Sequence, residues 1–103
     1  MKEKIETLCR VLKSNTVNSK IWWKQCKRPG TFELLNPVSN IMIYIEPFSI
    51  AALTYTLIIK SVEGLVIDEY KLFNSVGAEL YDEIRRQVNH AEAVVENLII
   101  KLS

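Results

Sequence analysis

The strongest constraint on the fold is a regular apolar stripe in the last quarter of the sequence. Between Gly77 and Leu102, small or apolar residues recur in alternating steps of four and three. This heptad spacing is typical of a helix that keeps one narrow face against a partner surface. The residues of the stripe are Gly77, Tyr81, Ile84, Val88, Ala91, Val95, Leu98 and Leu102. We therefore predict a long C-terminal helix, which would measure about 42 Å from Ser75 to Leu102.

The composition is that of one globular domain. The chain has 103 residues, of which 49% are hydrophobic and 24% are charged. A chain of this size can bury a core without disulfides or metals. No apolar run approaches the ~18 residues of a membrane span, and the N-terminal residues lack the apolar core of a signal peptide. The sequence thus predicts a single domain over residues 1–103, a cytoplasmic location and no membrane association.

No motif for catalysis, metal binding or cofactor binding stands out. Cys9 and Cys26 form no CxxC pair, so we interpret both as free, packed thiols. His90 is the only histidine, and no local motif places a nucleophile beside it. The glycines are isolated and the acidic residues match no calcium-binding loop. We therefore predict no metal, no cofactor and no enzymatic activity.

Upstream of the long helix, the sequence predicts a short helix followed by a sheet. Residues 2–12 place apolar side chains on one helical face, and Ser14-Asn15-Thr16 and Asn18-Ser19 favour turns that would end this helix near Lys13. From Lys20 to Tyr70 the apolar residues alternate instead, and β-branched and aromatic residues are enriched. The predicted strands are Ile21–Gln25, Thr31–Leu35 ending at Asn36-Pro37, Asn40–Glu46 ending at Pro47, Leu53–Lys60 and Leu65–Tyr70.

The connections between these strands are short, which forces neighbouring strands to run antiparallel. The expected fold is α+β: an antiparallel four- to five-stranded meander, with a short N-terminal helix and a long C-terminal helix packed on one face. Ile41, Ile43 and Ile45 are expected to belong to the core between the sheet and the helices.

Two apolar surfaces remain without a partner in this arrangement. The outer sheet positions are more apolar than a face open to water usually is, although a register slip would exchange the two faces. The long helix also exceeds the ~33 Å of a ten-residue strand, so we expect Val94 to Leu102 to overhang the sheet. Both features favour a non-enzymatic interaction protein, a homodimer that also offers a surface to a protein partner. The predicted interface residues are Met42, Tyr44, Thr56, Ile58, Val94, Ile99 and Leu102.

A basic segment with aromatic residues supports an alternative function. Residues 1–30 carry eight basic and two acidic side chains, a net charge of +6, whereas residues 31–103 carry a net charge of −5. Aromatic rings beside cationic groups can bind a nucleotide or single-stranded nucleic acid. Adjacent strand residues point to opposite faces, so only one tryptophan can share a surface with the lysines. The candidate site for an anionic ligand comprises Trp22, Trp23, Lys24, Lys27 and Arg28.

The chain also resembles a group of small proteins of bacteria and their phages. The resemblance depends on the short N-terminal helix, Trp22-Trp23, Tyr44, the Val62-Glu63-Gly64 hairpin and the Leu80-Tyr81 pair that opens the segment ending in Arg85-Arg86. The resemblance extends over most of the chain and depends on a small number of residues. It implies a helix, a tryptophan strand, a meander and a final helix in a cytosolic protein, and it provides no catalytic residues.

Overall fold

The chain folds into a five-stranded antiparallel sheet with one helix before it and one after it. The computed structural model describes residues 2–35, 40–73 and 75–103. The elements are α1 (Lys2–Val17), β1 (Trp23–Gln25), β2 (Phe32–Leu34), β3 (Ile41–Ser49), β4 (Thr54–Ser61), β5 (Val66–Leu72) and α2 (Ser75–Leu102). The strands are ordered β1-β2-β3-β4-β5. The predicted α+β meander is confirmed, and the break predicted at Asn36-Pro37 lies outside the described residues.

The core lies between one face of the sheet and the two helices. Alternate strand residues point into it, including Phe32 and Leu34 of β2 and Ile43 and Ile45 of β3. Ile41 is partly buried and packs against the same cluster. The helices complete the core with Cys9 and Leu12 of α1 and with Leu80, Tyr81, Ile84 and Val88 of α2. Both helices therefore cover the same face of the sheet, as the sequence predicted.

The first helix runs about one turn beyond its predicted end near Lys13. Ser14-Asn15-Thr16 does not form the expected turn, because the Thr16 hydroxyl donates a hydrogen bond to the Leu12 carbonyl at 2.7 Å within the helix. The same hydroxyl accepts the indole N–H of Trp23 at 3.0 Å. A contact with a distant tryptophan thus outweighs the local tendency of these residues to end a helix.

Pro47 lies inside β3, whereas the sequence predicted that it ends this strand. It is aligned with Tyr55 of β4, and the register shifts between Pro47 and Ser49. On its other side, β3 pairs with β2 through Tyr44 and Ile45. Pro47 is therefore placed beyond the β2 ladder and beside an irregularity, where the absence of a backbone N–H is tolerated.

Side chains of α2 attach this helix to the β1–β2 end of the sheet. The Gln87 amide accepts the Trp23 backbone N–H at 2.9 Å and donates to the Ile21 carbonyl at 2.8 Å. One amide group thus replaces the peptide of a neighbouring strand at the open edge of β1. The Tyr81 hydroxyl donates to the Gly30 carbonyl at 2.6 Å, and its ring stacks on Tyr55 at 4.6 Å between centroids.

Only the first half of α2 belongs to this core. Its buried residues end at Val88, and every residue from Asn89 to Leu102 is exposed. The molecule measures 51 × 32 × 26 Å, and its radius of gyration is 14.4 Å, above the ~13 Å expected for a compact chain of this length. We call residues 89–102 the projecting half of α2, and the rest of the described chain the body. The overhang is confirmed, and it starts earlier than the predicted Val94.

Candidate functional site

The heptad stripe continues from the core onto the projecting half without changing sides. An α-helix drifts by only ~20° per heptad from the repeat, so Ala91, Val95, Leu98 and Leu102 extend the line of the buried residues Ile84 and Val88. Ile99 lies beside them. The large side chains on and beside this line are 44% to 85% exposed: Val94, Val95, Leu98, Ile99 and Leu102. The projecting half therefore presents an apolar face about 21 Å long, at ~1.5 Å per residue.

Few charges accompany this apolar face. The ionisable side chains of the projecting half are His90, Glu92, Glu96 and Lys101. Glu92 and Glu96 line a shallow hollow of about 380 Å³ together with Ala91 and Val95. Ile100, which is 73% exposed, lies on the opposite side of the helix by the 3.6-residue period. Apart from Ile100, the large apolar side chains of the projecting half thus share one side of the helix. The net charge of −1 of this half opposes self-association only weakly.

The outer face of the sheet is less open than the sequence predicted. Met42, Tyr44 and Ile58 are partly buried, and Thr56 is only 2% exposed. The Lys60 ammonium lies 4.7 Å from the centroid of the Tyr44 ring, and Lys71 donates to the Thr56 hydroxyl at 3.2 Å.

Lys60 and Lys71 therefore lie over part of this face, where their ammonium groups contact an aromatic ring and a buried hydroxyl. Of the predicted interface residues, Thr56 is buried in the outer face of the sheet, whereas Val94, Ile99 and Leu102 of α2 are exposed.

The structure divides the candidate site for an anionic ligand. Trp23 belongs to the core, whereas Trp22 is 44% exposed, so the expectation that one of the two tryptophans is a core residue is confirmed. Lys24 lies 3.9 Å from a Glu33 carboxylate oxygen and Arg28 lies 3.7 Å from Glu46. These carboxylates offset much of the positive charge that an anionic ligand would need.

Neither thiol is activated. Cys9 is completely buried, and burial, reinforced by the Glu6 charge, raises the pKa of its thiol to about 11. Burial also raises the pKa of Cys26, together with the negative charge of Glu33, whose carboxylate accepts a hydrogen bond from the Cys26 sulfur at 3.8 Å. A nucleophilic cysteine requires the opposite shift. His90 lies on the exposed projecting half, on a different element from either thiol.

A second apolar surface lies between the start of α1 and β5. It is a groove of about 590 Å³ lined by Lys2, Ile5, Glu6, Tyr70, Lys71, Leu72 and Phe73. The Tyr70 hydroxyl donates to the Asp68 carboxylate at 2.6 Å, and this hydrogen bond raises the pKa of Tyr70. Sequence patterns give no signal for this groove, because it lies between the start of α1 and the far edge of the sheet, two segments that are distant in the chain.

Across residues 2–35, 40–73 and 75–103, no group of three or more histidine, cysteine, aspartate or glutamate side chains is placed to hold a metal ion. Neither helix of that described part is long and apolar enough to cross a bilayer. No protein-family model matches the chain, and comparisons with curated proteins and solved structures give no significant match. A function must therefore be inferred from the chain's own surfaces.

Proposed function

We propose that this protein is a non-enzymatic interaction protein that works as a homodimer, and that the projecting half of α2 is its binding surface. The observation that carries the proposal is the apolar face that the exposed Val95, Leu98, Ile99 and Leu102 form on one side of α2, in a segment that does not belong to the core. Burying a side chain of this kind stabilises a complex by about 1.5–3 kcal/mol. A contiguous apolar surface of this type marks an interface more often than a free surface.

The helical state of the projecting half also supports a partner. Its 14 residues from Asn89 to Leu102 belong to α2, yet among the described residues no side-chain hydrogen bond or ion pair joins them to the body. Isolated helices shorter than ~12–15 residues are marginal in water. Packing of the apolar stripe against a second surface would stabilise the helix where the body does not.

The chemistry of the described side chains supports binding better than catalysis. A catalytic site needs a positioned base and nucleophile, whereas the pKa values of both thiols are raised and the exposed carboxylates are distributed over separate elements. An apolar stripe needs only a complementary surface. The cytoplasmic location expected from the sequence is part of the same proposal.

Light scattering coupled to size-exclusion chromatography tests the homodimer. At roughly tens of micromolar, a range suited to a small interface, the protein is expected to elute with about twice the 11.9 kDa mass of one chain. Ile99→Asp places a charge on the apolar face beside the stripe, so this variant should elute with the mass of a monomer. Ile100→Asp is the matched control, because it makes the same change on the opposite side of the helix and should leave the dimer intact.

A monomeric wild-type protein that Ile99→Asp leaves unchanged would reject the homodimer. If Ile100→Asp also abolished the dimer, both substitutions would be disturbing the helix as a whole and not the apolar face in particular. Circular dichroism of each variant distinguishes a monomer with an intact helix from one whose helix has melted.

A further inference from the structure

We infer that the partner of the projecting half is the projecting half of a second copy in antiparallel orientation, with Ala91 opposite the partner's Leu102 and Val95 opposite the partner's Leu98. This inference rests on the proposed function, since it names how the two copies of the homodimer meet. It follows from where the body lies relative to the stripe, from the length of the open helix and from the order of large and small residues.

The position of the body excludes a parallel pair. Up to Val88 the stripe faces the chain's own sheet and α1, where Leu80 and Ile84 are fully buried. Two packed helices lie 8–10 Å apart, so a parallel partner on the same stripe would run into the volume of the core as soon as the pair passed Val88. An antiparallel partner runs the other way, and its body lies beyond the end of α2.

The length of the open helix selects one antiparallel register. With Ala91 opposite the partner's Leu102, the end of the partner's α2 lies about 5 Å beyond Val88 at ~1.5 Å per residue, just outside the body. Four layers of the stripe then pair. Sliding the partner one heptad toward the body would set Leu102 against the partner's Ile84, which is buried in the core. Sliding it one heptad away would leave two layers.

The side chains fit this register. In heptad terms, Val95 and Leu102 occupy a positions, and Ala91 and Leu98 occupy d positions, so each layer pairs an a residue with a d residue, as antiparallel helices do. The smallest stripe residue of the projecting half, Ala91, meets the partner's leucine. Beside the stripe, Val94 lies against the partner's Lys101, whose aliphatic stem can cover it. Glu92 faces the partner's Ile99, and hence no like charges are opposed.

Disulfide cross-linking tests this register directly. The background variant is Cys26→Ser, since Cys9 is completely buried and its pKa of about 11 leaves it unreactive near neutral pH. In this background, Ala91→Cys combined with Leu102→Cys should give a covalent dimer on mild oxidation. The two new thiols of one chain cannot bridge, because eleven residues of helix separate them by about 16 Å, and a disulfide needs Cα atoms within ~7 Å.

The single variants discriminate between orientations. In the antiparallel pair, two copies of Ala91→Cys lie about 16 Å apart along the axis, and so do two copies of Leu102→Cys, so neither alone should cross-link above background. Ile100→Cys, on the far side of the helix, supplies the rate of random collision. The double variant should form its disulfide at least ~10-fold faster than Ile100→Cys does, as expected when the dimer raises the effective thiol concentration.

Each outcome bears on one of the two proposals. Rapid cross-linking of Ala91→Cys alone would show a parallel pair and overturn the inference while leaving the homodimer in place. A dimer by light scattering in which the double variant reacts no faster than Ile100→Cys would overturn this register. A protein that is monomeric by light scattering would instead reject the proposed function, and the inference with it.

Discussion

Gln87 is the residue that holds the open edge of the sheet against α2. Its two hydrogen bonds to the Trp23 N–H and the Ile21 carbonyl are part-buried, and a buried backbone group left without a partner costs about 1–3 kcal/mol. Gln87→Ala should therefore lower the free energy of unfolding by about that amount in urea denaturation. Gln25→Ala, an exposed residue at the end of β1, is the control and should cost less than ~0.5 kcal/mol. Equal effects of the two substitutions would contradict this function of the amide.

Cys9 makes stability depend on pH in the alkaline range. Burial and the Glu6 charge raise its pKa from 9.0 to about 11 in the folded chain, so between these values the unfolded state loses the thiol proton while the folded state keeps it. The folded state then binds more protons, and stability falls as pH rises. The loss amounts to about 2–3 kcal/mol at ~1.4 kcal/mol per pKa unit.

Urea denaturation of wild type and Cys9→Ala at pH 9 and pH 11 isolates this contribution from the tyrosines and lysines that also titrate there. The wild-type protein should lose more stability than Cys9→Ala across the interval. Parallel losses in the two proteins would show that the Cys9 thiol ionises as readily in the folded state as in the unfolded state.

At the scale of elements, Gly77 sets how closely α2 approaches β5. A Cβ atom at this position would lie 2.6 Å from the Cβ of Leu72, a distance at which a side chain or the helix must move. Overpacking of this kind costs about 1–3 kcal/mol, more than the ~1 kcal/mol that alanine gains in helix propensity. Gly77→Ala should thus destabilise the fold, even though the same change in an open helix stabilises it.

The partner of this clash can be removed independently. Leu72→Gly removes this Cβ and costs stability through the cavity it leaves, but Gly77→Ala in that background should cost less than it does alone, because the added methyl then has room. Thermal or urea unfolding of the four proteins of this double-mutant cycle measures the coupling. Additive effects would show that Leu72 does not limit the approach of α2.

Elements defined by spacing within one segment were predictable, and those defined by distant contacts were not. The heptad of α2 and the alternation of β3 and β4 each contain their own signal, and they gave the correct topology. The end of α1 depends on the contact between Thr16 and Trp23, and the place of Pro47 depends on where the β2 ladder stops.

The candidate site divides in the same way. The apolar face of the projecting half was predictable from the sequence, since Leu102 follows the period of the stripe and Val94 and Ile99 lie beside it. The residue at which the projecting half starts was not predictable, because it depends on where the contact of α2 with the body ends, after Val88. The shielding of the outer sheet face was equally hidden, since it depends on the conformations of Lys60 and Lys71.

At the scale of the whole molecule, the body and the projecting half determine the shape of the dimer. One chain has a radius of gyration of 14.4 Å, and two chains merged into one compact globule would have ~17 Å. In the antiparallel pair the axis lies between Val95 and Leu98, about 12 residues of helix beyond Ile84, the fully buried residue at whose level we place the centre of each chain. This offset places each centre about 18 Å from the axis and predicts roughly 23 Å for the dimer.

Small-angle X-ray scattering at a concentration where the mass is that of a dimer measures this value. The matched control lacks residues 93–103 and retains Gln87 and Val88, which the body needs. It should scatter as a folded monomer with a radius of gyration near the ~13 Å of a compact chain, because the removed residues are all exposed. A dimer near 17 Å would mean that the two bodies lie side by side, which the antiparallel pairing of α2 forbids, and a dimer of the shortened chain would place the interface on the body.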